Sequence, residues 1–446
     1  MRDGVVTLPD LQLAVAEERP WASTPELKRA AALLALELRP LSLGRACEIL
    51  DTLLSAVAAA CPDVRPLEPS GAVRRVEPIV LALSAVGRAT VPARAIDAIA
   101  SLSQLGGAVV YRTTRRIVVI FQGHEVDIRL ATPDEYGTVL FATTGPASHV
   151  ADVQKRRGVR LSASETEVYT HAGLGYLPPQ VRHAAHALDA AISRRLPRLV
   201  QREDIRGDLH MHTTYSDGHD SLEEMVMTAH ALGYEYIAIT DHSEHSAASR
   251  TTTPSDLARQ RDHIDGLRET AHGMTILHGI EADILPDGRL DCPDKVLETL
   301  DIVLASLHDH AGHSRARLTK RCLGAIRHPL VSAITHPGNQ LVGHRPAYDM
   351  DYDAIYAAAA ETGTALEVDG APSHLDLDGD RAQAAAAAGV TLVVDSDCHR
   401  ARALDRQMRL GVGTARRGWV EPRHVLNTRP IGDVLAFLAD KRRRTS

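Results

Sequence analysis

From residue 207 onward the chain repeats one phrase. A short apolar run ends in a polar cluster and gives way to a helical stretch: YEYIAIT then DHSEH, MTILHGI then EAD, DIVLAS then LHDH, LVSAIT then HPG, TALEV then DG, TLVVDS then DCH. Strand, loop and helix in this alternation predict a parallel (β/α) barrel. In such barrels the working face lies at the C-terminal ends of the strands. The His, Asp and Glu residues of this half fall there.

Composition divides at the same point. Of the 23 His, only His124, His149, His171, His183 and His186 precede residue 207. Residues 1–206 hold 25 basic and 22 acidic residues, a formal +3, whereas residues 207–446 hold 25 and 35, a formal −10. An acidic, His-rich half suits a site for several cations, because cations need anionic and imidazole ligands.

The segment GDLHMHTTYSDG opens that half. His210 and His212 are two apart, so on an extended segment both imidazoles face one ion. Asp217 follows in a turn. His242, Glu281, His308, His336, Asp397 and His399 then occupy the exits of successive predicted strands. These nine N and O ligands include no thiolate, which suits Zn, Mn or Fe rather than a Cys-rich structural zinc. A lone His after a strand is more often a cap or loop donor, so His245, His263, His278, His310, His313 and His328 are set aside. Cys398, between two ligands, reads as a small buried residue. Asp208 and Asp241 flank ligand histidines and are candidates to orient an imidazole.

The rest of the composition excludes other classes. The chain has 446 residues, 44% hydrophobic and 24% charged, enough for two to four globular domains. Charged residues interrupt every run that approaches the roughly 18 apolar residues of a membrane span. The start, MRDGVVTLPDLQ, has no signal-peptide core, and the 5 Cys are odd in number and widely spaced, so the expectation is a reducing cytoplasm. Aromatics at 3% and a net charge of −7 offer little for stacking on or coating a polyanion. Upstream, PELKRAAALLALELRP and SLGRACEILDTLLSAVAAA carry helical spacing, and PIVLALSAVG, GGAVVYRTTRRIVVIF and HEVDIRLAT read as strands. VRHAAHALDAAISRRLPRLV reads as a helix ending near Pro197, before a linker around QREDIRG.

DLHMHTTYSDG, ITDH, GIEADIL, ASLH, THP and DSDCH together resemble the PHP (polymerase and histidinol phosphatase) superfamily. The resemblance implies a distorted (β/α)7 barrel binding three divalent ions. It places His210, His212, Glu281 and Asp397 on the first ion, with Glu281 bridging to a second held also by His308 and His336. It places Asp217, His242 and His399 on the third. Glu281, Asp397, His212 and His399 are then the candidate catalytic set. GIEADILPDGRLDCPDKVLETLDIVLASLH and ALEVDGAPSHLDLDGDRAQAAAAAGV look like the PHP domain attached to bacterial family X DNA polymerases. PSGAVRRVEPIVLAL, TPDEYGTVLFATTGPASH and ETEVYTHAGLGYLPPQVR resemble the palm strand, the palm-to-thumb junction and the segment before the barrel of those enzymes.

Three regions follow from this resemblance: a helical region at 1–66, a degenerate nucleotidyltransferase-like palm and thumb of α+β type at 67–200, and the PHP domain at 207–446. The palm is expected to be inactive. The stretch VEPIVLA lacks the family's two aspartates, and only Asp127 keeps an acidic position. Two-metal nucleotidyl transfer needs a clamp on both the attacking and the leaving oxygen. In the barrel, Arg345 matches a basic position that binds substrate phosphate. HPGNQ and His374 depart from the family, His374 standing where an Arg is expected, and both alter substrate contacts. The expected activity is metal-dependent phosphate-ester hydrolysis on DNA 3′ ends, as a 3′–5′ exonuclease or end-processing enzyme; the alternatives are a small phosphate monoester as substrate, as in histidinol phosphatases, or a non-catalytic DNA-binding scaffold, and no membrane partner is expected.

Overall fold

The computed structural model describes residues 14, 17, 19 and 40–444, except 103–108, 159, 247, 269–272 and 309–311. The helix read in PELKRAAALLALELRP lies outside the described residues. The described chain forms two compact units. One comprises 1–73, 79–145 and 157–171, the other 74–78, 146–156 and 172–446.

In the first unit the helix Leu43–Ala60 is capped by Ser42 and buries Ala46, Ile49, Leu50, Leu53 and Val57, an i, i+3, i+4, i+7 face. Strands β1 (Leu41–Ser42) and β3 (Ile79–Val80) form a small antiparallel pair. The main sheet has order β2-β4-β7-β6-β5, with β2 (Leu67–Pro69), β4 (Leu83–Arg88), β5 (Val109–Arg112), β6 (Arg116–Phe121) and β7 (His124–Ala131). Only β4 and β7 run parallel. Val86 and Ala131 pack there against Tyr136 and Leu140 of the helix Tyr136–Thr144. The strands read from the sequence are present, but Gly71–Arg74 is a single helical turn rather than palm strand.

The second unit carries seven parallel strands in chain order: β8 (Gly207–Asp208), β9 (Tyr236–Ile239), β10 (Thr275–Asp283), β11 (Ile302–Ser306), β12 (Ala333–Ile334), β13 (Ala365–Asp369) and β14 (Leu392–Asp395). Nearly every residue of these strands is buried, as parallel strands covered by helices require. This is the predicted (β/α)7 barrel. Gly207 is obligatory in β8, because a Cβ there would lie 2.3 Å from the Tyr236 ring.

The regular ladder stops between β14 and β8, and side chains cross that seam. Asp395 Oδ1 accepts the Leu209 N–H at 2.8 Å and Asp208 Oδ1 accepts the Ser396 N–H at 3.2 Å. Asn427, fully buried, donates to Gly207 O and Val394 O at 2.9 and 2.6 Å and accepts from Val394 N at 3.1 Å. Its loss would leave both carbonyls and one N–H unpaired. Asn427→Ala is expected to cost about 2–4 kcal/mol in chemical denaturation, at about 1 kcal/mol per hydrogen bond plus orphaned partners. A change within experimental error would show that the seam is held elsewhere.

Two details differ from the sequence reading. The helix expected up to Pro197 is only Ala187–Ser193, because Arg194 adopts a left-handed φ of 55° and stops it. Segment 172–206 also groups with the barrel rather than with the upstream sheet. Val200 N donates to Val420 O at 2.9 Å, Arg206 pairs with Glu235 and Arg202 with Asp405.

Candidate metal centre

All nine residues singled out in the sequence meet at the C-terminal ends of the barrel strands. Glu281, fully buried in β10, is the hub. Its Oε2 lies 3.5, 3.6 and 2.9 Å from His210 Nε2, His212 Nε2 and His242 Nδ1. Its Oε1 lies 3.4 and 2.9 Å from His308 Nε2 and His336 Nε2. One carboxylate thus faces two imidazole groups, as a bridging ligand would. Asp397 Oδ1 is 3.0 Å from His212 Nε2 and 3.6 Å from His210 Nε2 and His399 Nδ1. Asp217 Oδ1 is 3.2 Å from His399 Nε2 and 3.5 Å from His242 Nε2.

Ligand atoms gather into sets that each fit one cation: His212, Asp217, His242 and His399; His210, His212 and Asp397; and His242, Glu281 and His308. Two of the sets overlap the groupings expected of the first and third ions; His212 and His242 each fall in two sets, Glu281 groups with His242 and His308, and His336 falls in none. Several buried atoms here have no hydrogen-bond partner, among them Glu281 Oε2, Asp217 Oδ1 and Nδ1 of His212 and His336. Native interiors rarely leave such atoms bare, so the donor set fits divalent ions. Asp397 and His336 hold left-handed φ values of 48° and 27°, a strain that recurs where side chains must converge.

Electrostatics agree. Burial opposes charge on Glu281, yet His242, His308 and His210 hold its carboxyl well below the usual range. Burial likewise opposes charge on Asp397, and His210 and His212 outweigh it. Burial opposes protonation of His336 and His399, but Glu281 and Asp217 raise them to about 9. His212 is pushed down to about 3 by burial and by His399 and His242. Without ions, then, the carboxylates are balanced by protons on imidazoles.

The supporting residues differ from those proposed in the sequence. Asp241 orients no imidazole: it accepts from Thr213 N and Oγ1, from Ser216 and from Gln260, fixing the loop that carries Asp217. Asp208 accepts backbone N–H groups of His210 and Ser396. The imidazoles are oriented instead by Glu367, 2.7 Å from His210 Nδ1, and Asp283, 2.7 Å from His308 Nδ1. Glu367 also accepts the His336 N–H at 2.6 Å. Asp283 ends β10, two residues beyond Glu281 on the same face, whereas Glu367 sits inside β13. Glu367→Gln is expected to weaken metal binding about 10–100-fold with the fold intact, as loss of such a partner does. An unchanged dissociation constant by titration calorimetry would remove Glu367 from that role.

His374 stacks on His336 with ring centroids 5.0 Å apart. Arg345 donates to Asn339 O and Oδ1 at 2.7–3.1 Å and lies over Tyr348. Asn339 also donates to Leu307 O and Tyr348 Oη, so the altered HPGNQ loop braces the strand end before His308. Cys398 is fully buried, its thiol donating to Arg400 O, and lies outside the ligand sets.

The profile of the PHP domain matches residues 208–368. The DNA polymerase/3′-5′ exonuclease PolX of Bacillus subtilis is 35% identical over 389 residues, 83% of this chain and 68% of that protein. The chain belongs to the PolX family of PHP-domain proteins. A probable phosphatase of Syntrophotalea carbinolica is 35% identical over 36% of this chain and 64% of its own length. The probable phosphatase YcdX of Escherichia coli is 33% identical over 44% of this chain and 78% of its own length. The PolX match is thus too long to be confined to the barrel, whereas these two phosphatases match over less than half the chain. Among the described residues no helix is long and apolar enough to cross a membrane.

Proposed function

We propose that this PHP-domain hydrolase is a divalent-metal-dependent phosphoesterase acting on DNA 3′ ends, as a 3′–5′ exonuclease or 3′-end-processing enzyme, and that its palm no longer polymerises. The observation that carries this reading is the contrast between the two units. The barrel keeps all nine ligands converging. In the palm, Asp127 on β7 is gripped by Arg116 at 2.9 Å and by Arg129 at 3.0 and 3.2 Å. Its neighbour in register on β4 is Ser84, and β4 carries no acid at all. A carboxylate neutralised by two guanidiniums is a poor cation ligand.

Three divalent ions (Zn, Mn or Fe), held by His210, His212, Asp217, His242, Glu281, His308, His336, Asp397 and His399, would neutralise a phosphate ester and lower the pKa of bound water to near neutral. The chain's own contribution is position. Glu281 links the two imidazole groups, Glu367 and Asp283 fix ring orientation, and Asp241 holds the Asp217 loop. Most of these groups are buried, so water is largely excluded from all but the substrate side. Arg345, braced on Asn339, is assigned to a substrate phosphate.

A 5′-labelled primer-template incubated with Mn²⁺, with and without nucleotides, beside Asp397→Ala, tests this. Stepwise shortening from the 3′ end, lost in the variant and without extension, is expected. Extension dependent on added nucleotide would sink the inactive-palm reading. A second reading, a small-molecule phosphate monoesterase, is favoured by His374 and the HPGNQ loop, which alter the substrate side of the site. An untouched primer with hydrolysis of small monoesters would establish it. Salt separates the two, because DNA binding falls steeply with ionic strength and small-ester turnover falls much less.

A further inference from the structure

Strand β13 ends on a carboxylate that the nine-residue cluster leaves unused. Asp369 is fully buried. Its Oδ1 accepts the Ala371 N–H at 2.5 Å, and its Oδ2 is buried with no hydrogen-bond partner. A carboxylate in that position needs either a proton or a cation. The surroundings supply cation ligands. Ligand atoms of Asp369, His374 and Asp397 all lie within 4.8 Å of one another.

His374 is set up for this role by its other nitrogen. Nδ1 is 2.9 Å from Gln340 O, and a carbonyl can only accept, so Nδ1 carries the proton. Nε2 therefore keeps its lone pair. A backbone carbonyl holding the second nitrogen is the usual support of a metal-binding imidazole. Gln340 secures the arrangement by donating from Nε2 to His374 O and Leu375 O, both at 2.8 Å. Position 374 thus carries an imidazole where a guanidinium was expected, next to a carboxylate with a free oxygen.

We propose that Asp369, His374 and Asp397 form a fourth divalent-cation position, beside the three expected of the barrel. One nitrogen and two carboxylates suit Mn²⁺ or Zn²⁺. Asp397 would then serve two ions, as Glu281 does, and His374 becomes a metal ligand rather than a direct substrate contact. The inference rests on the three-ion reading through Asp397 alone.

The test is a metal count on the full chain. The parent, Asp369→Asn and His374→Phe are dialysed to equilibrium against Mn²⁺, and bound ions per chain are counted by plasma mass spectrometry. Asn keeps the oxygen that accepts from Ala371, and Phe keeps the stack on His336. Four ions in the parent and three in each variant are expected. Three ions in the parent, or equal counts in parent and variants, overturn the fourth position and leave the proposed function standing. Two or fewer in the parent overturn the three-ion reading itself. If one variant fails to fold by circular dichroism, the other decides.

Discussion

Glu281→Gln is expected to lower kcat/KM for phosphodiester hydrolysis by about 10³-fold or more, roughly 4 kcal/mol of transition-state stabilisation. The change is nearly isosteric and removes only charge. It is taken from the one group that faces five imidazoles at 2.9–3.6 Å. Thr335 Oγ1, which donates to Glu281 Oε1 at 3.0 Å, can still donate to the amide oxygen, so the fold should survive. Steady-state rates with saturating Mn²⁺, beside circular dichroism, check this. A folded variant with the parent's rate would show that the barrel's carboxylate hub is not where hydrolysis occurs.

Chelation should have the second large effect. Ions that bind only the folded chain stabilise it by about 4 kcal/mol at a thousandfold excess over Kd, on the order of 10 °C in Tm. The pH dependence has a fixed sign. Free His336 and His399 hold protons up to about 9, and those protons must leave when an ion binds. Metal affinity, and with it the difference in Tm between loaded and stripped protein, should therefore shrink as pH falls from about 9 toward 6. Differential scanning calorimetry at several pH values reads this directly. A difference in Tm that grows on acidification would mean that the imidazoles do not compete with metal for protons.

The barrel and the residues that converge at its strand exits were legible because parallel strands buried on both faces must be short and apolar, and their exits must be polar. That rule alone placed His242, Glu281, His308, His336 and Asp397. It failed on support. Asp208 and Asp241 adjoin His210 and His242 closely in sequence, yet Asp208 turns to backbone N–H groups and Asp241 to Thr213, Ser216 and Gln260. Glu367 adjoins no ligand in sequence and reaches His210 across 157 positions. Such pairings depend on which strands close the barrel, and spacing along the chain does not encode that. The helix expected to reach Pro197 failed for a local reason, a left-handed residue at Arg194 that apolar periodicity does not reveal. Asp127 was read as the acid that the palm retains; its capture by Arg116 depends on cross-strand register, whereas Arg129 stands two residues along the same strand.

The seam between β8 and β14 has a further meaning. His210 and His212 follow β8, and Asp397 and His399 follow β14, so any ion held by both pairs straddles the place where a single backbone bridge, Met211 with Cys398, stands in for the regular ladder. Ions bound there would also act as a clasp: where the sheet thins to one bridge, coordination bonds would reinforce it. Stripped of ions, the ring should part there first, and amide exchange should quicken around 207–212 and 392–399 before it does anywhere between β10 and β12. Folding to completion and loading with metal would then be one event, and a cell short of the right ion would hold this protein not as an idle enzyme but as an unfastened one.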